Sequence, residues 1–113
     1  WMWLDGPSAP EGRGAGPVRD LFLEMNARAL RAEDPGDQGE VPPAWPRLGE
    51  LAVPTLILLG RLDAEDIRVV DELAAPLIPG ARLVHLDGVA HVPHLEGDPV
   101  TLDAIAAFVD EHA

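Results

Sequence analysis

Residues 53–63 read "VPTLILLGRLD" and residues 81–91 read "ARLVHLDGVAH". Each stretch starts with a short apolar run, passes through a glycine and ends on a side chain able to hold or move a proton. Pro54–Gly60 is nearly continuous in apolar residues, which suits a strand buried on both faces, as in a parallel sheet covered by helices. Arg82–Leu86 predicts a second short strand. Between them, Ile67–Leu77 carries apolar residues at 67, 69, 70, 73, 74 and 77, which predicts a helix shortened by Pro76 and ended by Pro79-Gly80. Asp98 is a good N-cap with Pro99 in the first turn, and Leu102, Ile105, Ala106 and Val109 are expected to form one face of a final helix. Strand, helix, strand, helix predicts an α/β chain with two parallel strands joined by a right-handed crossover.

Both loops of interest, 61–66 and 87–97, leave the carboxyl ends of those strands, the edge where open α/β sheets build their sites. Asp63 stands three residues past Gly60, and His91 three past Gly88. They are 28 residues apart, one crossover's worth, so adjacent strands would bring the two loops together. A carboxylate beside an imidazole makes a general base at neutral pH, because it fixes the tautomer, orients the ring and stabilises the imidazolium formed on proton uptake. Taken singly, Asp63 reads as a turn residue capping its own backbone and His91 as an ordinary loop histidine. Their joint spacing is what raises the acid–base reading above those.

Upstream, residues 1–16 dissolve into glycine and proline and are expected to form a loop. Pro17 suits a first helical position, and Val18, Leu21, Phe22, Met25 and Ala29 follow with the period of an amphipathic helix running to about Ala32. Residues 34–46 are rich in proline and glycine and predict a linker, the clearest boundary in the chain.

Composition narrows the function. The 113 residues carry a formal net charge of −12, with 20 acidic against 8 basic residues, so no basic stripe exists to replace phosphate counterions. Nucleic acid and anionic membrane are therefore not expected as partners. The longest apolar run, Leu51–Gly60, is too short to span a bilayer, and no basic n-region precedes an apolar stretch, so a secretion signal is not expected. The absence of cysteine excludes disulfides, thiolate metal sites and a cysteine nucleophile, and fits a reducing compartment, from which a cytoplasmic location is expected. The "WMW" opening suggests a piece of something longer.

The stretch "VPTLILLGRLDAED…LAAPLIPGARLVHLDGVAHVPHLEGDPVTLDAIAAFV" resembles the C-terminal end of an α/β-hydrolase-fold enzyme, over roughly residues 51–112. Gly60-Arg61-Leu62-Asp63 and Gly88-Val89-Ala90-His91 are similar to the loops that hold that family's catalytic acid and catalytic histidine, in the same order. "WMWLDGP" and the 17–32 helix look more loosely like the end of a cap segment. The resemblance implies a partial α/β-hydrolase fold, with residues 1–46 ending the cap and residues 47–113 supplying the strand–helix–strand–helix part of the core. It implies Asp63 as catalytic acid, His91 as base, no cofactor, and hydrolysis of an ester, lactone or similar bond in a small apolar substrate.

The family's nucleophile rides a G-x-S-x-G elbow upstream of the acid. The lone serine, Ser8 in "GPSAP", is followed by proline and glycine that cannot open the required helix, and helix-interior proline costs about 3 kcal/mol. The nucleophile and its half of the protein are therefore expected to lie outside these residues. Two alternatives remain open: an enzyme with an aspartate nucleophile, of the haloalkane dehalogenase or epoxide hydrolase type, and a catalytically silent fragment. Two strands with their helices leave much apolar surface uncovered, so the piece alone is expected to be marginal or prone to association. A dinucleotide-binding unit would need G-x-G-x-x-G after the first strand, and "GRLDAED" has one glycine.

His91 and His94 with Asp87 and Glu96 could suggest zinc, but such histidine pairs ride rigid helices, and Val92-Pro93 predicts an extended loop. No metal is expected, and Glu96 is expected to accept backbone hydrogen bonds ahead of the last helix. His85 is expected to be a packed or half-exposed strand residue. Trp1, Trp3 and Trp45 are candidates to line a pocket, with packing the commoner use of such rings.

Overall fold

In the computed structural model, which describes residues 2–37 and 39–113, the two predicted strands pair in parallel. β1 (Leu56–Gly60) lies beside β2 (Arg82–Leu86), in register from Leu56 opposite Arg82 to Gly60 opposite Leu86. Together they form a two-stranded sheet. The connection runs through α3 (Glu65–Ala74) and a single 3₁₀ turn (Ala75–Leu77), where Pro76 interrupts the α-helix. Helix α3 starts two residues earlier than its apolar pattern implied. Glu65 and Asp66 occupy its first turn, where negative charge complements the helix dipole.

The C-terminal helix α5 (Pro99–His112) begins as expected: the Asp98 carboxylate accepts from the Thr101 amide at 2.8 Å and from its hydroxyl at 2.9 Å. Upstream, α2 (Pro17–Arg31) matches the periodic stretch, and the proline-rich segment gives way to a 3₁₀ helix at Trp45–Glu50.

Two expected loops are helical. Residues 2–5 form one turn, α1 (Met2–Asp5), and Pro93–Glu96 forms another, α4, where an extended chain was expected. A single turn is too short to show periodicity, and proline at a first helical position gives up only an N–H that would have had no partner there.

The core is small: Leu4, Leu59, Ile78, Leu86, Val89 and Ala90. At about 1.5–3 kcal/mol for each fully buried large aliphatic side chain, it supplies modest stabilisation. The helix faces differ from expectation. In α5, Leu102 and Val109 are outward, while Thr101 is fully buried and Ala104, Ile105 and Phe108 lie partly covered. In α3, Val69, Val70 and Leu73 are exposed, and the inner positions are Ile67, Arg68, Asp71 and Ala74. In α2 no residue is buried, and Leu21, Met25 and Ala29 of the predicted apolar face lie open. A helix apolar on more than one side leaves the choice of inner face to its neighbours.

The consequence is a loose body. A folded monomer of 12.1 kDa exposes about 6,000 Å², whereas this chain exposes 7835 Å². Its radius of gyration is 16.0 Å, against about 13 Å for a compact domain of this length. No helix among the described residues is long and apolar enough to cross a membrane.

Candidate active site

The sheet's carboxyl edge brings three segments together. Beyond the paired strands, the Arg61 amide donates to the Leu86 carbonyl at 2.9 Å and the Leu62 amide to the Val89 carbonyl at 3.0 Å. These bonds stitch the first loop to the second. The end of α1 packs on the same place: Gly6, at φ +93°, lies so close to the Leu62 carbonyl that a side chain would overlap it.

Asp63 and His91 meet at this junction. His91 Nδ1 lies 2.7 Å from Asp63 Oδ2, while Asp63 Oδ1 accepts from the Ala64 amide, also at 2.7 Å. One carboxylate oxygen therefore does the turn-capping job expected of a lone aspartate, and the other faces the imidazole. The Asp63 side chain is 4% exposed and that of His91 is 40% exposed. A carboxylate only accepts, so it holds the imidazole proton on Nδ1 and leaves Nε2 as the basic nitrogen. The arrangement can take a proton at Nε2 and stabilise the resulting imidazolium from behind.

The backbone fixes the ring as well. The His91 amide donates to the Trp3 carbonyl at 3.2 Å, and the Trp3 ring packs against the imidazole with centroids 4.7 Å apart and planes tilted by 50°. Trp3 thus walls one side of His91 while staying partly open to solvent. Trp45 is exposed on its 3₁₀ helix, and Trp1 lies outside the described residues.

A second carboxyl group stands near the pair and escaped the sequence reading. Asp71, on the inner side of α3, has its pKa raised, first by burial and then by the Asp63 charge, with His91 acting in the opposite direction. The signal was present: position 71 falls seven residues after Ala64 and four after Ile67, on one helical face. The apolar residues at 69, 70 and 73 drew attention to the opposite side.

The remaining candidates separate. Ser8 is exposed in the turn after α1 and makes no hydrogen bond with His91. His85, on β2, pairs with Glu72 at 3.1 Å on the surface. Asp87 pairs with Arg61 at 2.8 Å, with both side chains well exposed. His94 lies on α4, lining an apolar groove of about 360 Å³ with Phe22, Met25, Ala29, Val92 and Leu95. Glu96 does accept a backbone hydrogen bond, from Ala90 at 2.9 Å. Among the described residues, no three acidic or histidine side chains gather closely enough to hold a metal ion.

No family model matches the chain, and neither a curated protein nor a solved structure matches it.

Proposed function

We propose that the chain is the acid–base half of an α/β-fold hydrolase active site, with His91 as general base and Asp63 as the acid that orients it. The observation that carries this reading is the 2.7 Å contact between a nearly buried carboxylate and a half-open imidazole, at the carboxyl ends of two parallel strands. In the proposed reaction, His91 Nε2 removes the proton from a serine hydroxyl as it attacks an ester or lactone carbonyl, and returns that proton to the departing alkoxide. It then deprotonates the water that attacks the acyl group and gives that proton to the departing serine oxygen, restoring the hydroxyl and the neutral imidazole. With an aspartate nucleophile, the same nitrogen serves only to activate water. No cofactor takes part. The resemblance of the two glycine-led loops to the hydrolase family supports the same assignment, and a small apolar substrate fits the half-open Trp3 ring beside the base.

The nucleophile is proposed to come from polypeptide beyond these residues, since Ser8 makes no hydrogen bond with His91 and is followed by proline and glycine that cannot open an elbow helix. The test joins these residues to their nucleophile-bearing segment and measures hydrolysis of a panel of small esters and lactones. His91→Ala is expected to lower kcat on the order of a million-fold. Turnover surviving that substitution at a substantial level removes His91 from the mechanism.

A second reading, that the 113 residues alone are catalytically silent, is favoured by the exposed setting of Ser8 and by the loose packing. An ester hydrolysis assay on the chain, with Ser8→Ala as control, separates silence from activity. Activity abolished by that substitution would overturn silence.

A further inference from the structure

We propose that Arg13 is a positioning residue for the His91 imidazole, acting as one cation that ties α1, the Gly88–His91 loop and α4 into a single frame. The proposal rests on the acid–base reading of the Asp63–His91 pair.

The guanidinium reaches four acceptors on three segments. Its Nε donates to the Asp5 carbonyl at 2.8 Å and one terminal nitrogen to the Leu4 carbonyl at 2.6 Å, both in α1. The other terminal nitrogen donates to the Gly88 carbonyl at 2.9 Å and to Glu96 Oε2 at 2.6 Å. The last two partners lie 75 and 83 residues further along the chain. A planar fork with five donors can serve such a set, and an ammonium cannot.

Two short paths run from this cation to the histidine. Glu96 uses its second oxygen to accept from the Ala90 amide at 2.9 Å, so the residue before His91 is held by a carboxylate that Arg13 itself holds. On the other side, Arg13 grips the Leu4 carbonyl, next to Trp3, whose own carbonyl accepts the His91 amide and whose ring lies against the imidazole. The backbone at residues 90 and 91 is thus bracketed by two partners, each anchored on Arg13.

Arg13 is aimed in turn by Asp5. That fully buried carboxylate accepts from the Gly12 amide at 2.9 Å and the Gly14 amide at 2.7 Å, the two neighbours of Arg13, and pairs with Arg19 at 2.6 Å. The "DGPSAPEGRG" segment therefore wraps around one carboxylate so as to present one guanidinium. The Glu96 side chain is only 8% exposed, and a carboxylate so enclosed is costly without its cation, so the loop would rearrange if Arg13 were lost.

The test is nuclear magnetic resonance of the 15N-labelled 113-residue chain, at a concentration where sedimentation gives the monomer. The unsubstituted chain is expected to give a slowly exchanging low-field His91 Nδ1–H signal, lost in Asp63→Asn, and cross-peaks between the Trp3 and His91 rings. In Arg13→Met both signals are expected to vanish, while the amides of Ile57–Leu59 and Val84–Leu86 keep their shifts and exchange protection. If Arg13→Met does not fold, Glu96→Gln is used, which keeps an acceptor for Ala90 and removes the charge facing Arg13; the same losses are expected. Retention of the Nδ1–H signal and the ring cross-peaks in a folded variant overturns the positioning role and leaves the pair intact. Absence of the Nδ1–H signal from the unsubstituted chain overturns the pair itself, and the positioning role with it.

Discussion

Gly60 lies directly against the backbone of Ala90: a Cβ at Gly60 would overlap the Ala90 carbonyl oxygen and meet the Val89 carbonyl at 2.6 Å. The first glycine of the "GRLD" loop is thus the surface over which the histidine loop passes. A side chain there would push apart the two loops that carry Asp63 and His91.

Gly60→Ala is accordingly expected to destabilise the chain by about 1–3 kcal/mol, the usual range for forcing an extra methyl group into a packed site. Thermal melts measure the loss. The substitution should also weaken the Asp63–His91 contact, so an unchanged melting temperature together with an unchanged His91 Nδ1–H signal would contradict this packing.

Asp63→Asn separates charge from shape. The amide keeps the size of the carboxylate, but its NH2 group can donate to Nδ1 and so favours the tautomer with the proton on Nε2. In a complete enzyme of the proposed kind, kcat is expected to fall on the order of ten-thousand-fold with the fold retained. A loss below tenfold would show that the carboxylate does not govern the tautomer.

Asp5 makes the chain sensitive to acid. Hydrogen bonds from the Gly12 amide above all, then from the Gly14 amide and Arg19, hold its pKa at about 2 against an ordinary 3.8, with burial opposing them. Between those values the unfolded chain binds the proton more readily, so the stability contributed by Asp5 is full above about pH 4 and is lost as pH falls towards 2. Melting temperature followed from pH 6 to pH 2 should drop in that window, and Asp5→Asn should flatten the drop. Equal slopes in the two proteins would remove Asp5 as the cause.

Asp71 works in the opposite direction. Its raised pKa, caused first by burial and then by the Asp63 charge, means that the folded chain holds this proton more tightly than the unfolded one. Its contribution favours the fold at low pH and is lost as pH rises through the raised value. Asp71→Asn is therefore expected to raise the melting temperature at pH 7, with the difference shrinking near pH 4. A lower melting temperature at pH 7 would mean that the carboxylate makes a stabilising contact.

The outward apolar side chains of α5 should be measurable as surface. Val100, Leu102 and Val109 are 60%, 47% and 57% exposed, enough to bind a dye that fluoresces in apolar surroundings. Leu102→Glu combined with Val109→Lys is expected to reduce that fluorescence without lowering the melting temperature. A large fall in melting temperature would place these side chains in the core.

Some features were legible because local chemistry dictates them. The β2 boundaries, the Asp98 cap and the ends of α2 follow from residues that force a choice: a proline at a first helical position, a carboxylate facing an amide, an apolar run closed by glycine. The meeting of Asp63 and His91 was legible for a related reason, since parallel pairing of two strands after one crossover brings equivalent loop positions to one edge. The inner faces of α3 and α5 were not. Each carries apolar residues on more than one side, so composition could not tell Val69 from Ile67, or Leu102 from Ala104.

By itself, the sequence determined the strand–helix–strand–helix order from Leu56 to His112, the parallel pair of strands and the two residues that face each other across their ends, because these depend on periodicity, caps and spacing within one stretch of chain. Only the tertiary structure decided that Trp3 walls the imidazole and that Arg13 links α1 to Glu96. Those contacts join residues up to 88 positions apart, and no local propensity constrains a distance of that kind. What selects them is the need to satisfy buried carboxylates and carbonyls once the chain has folded back on itself.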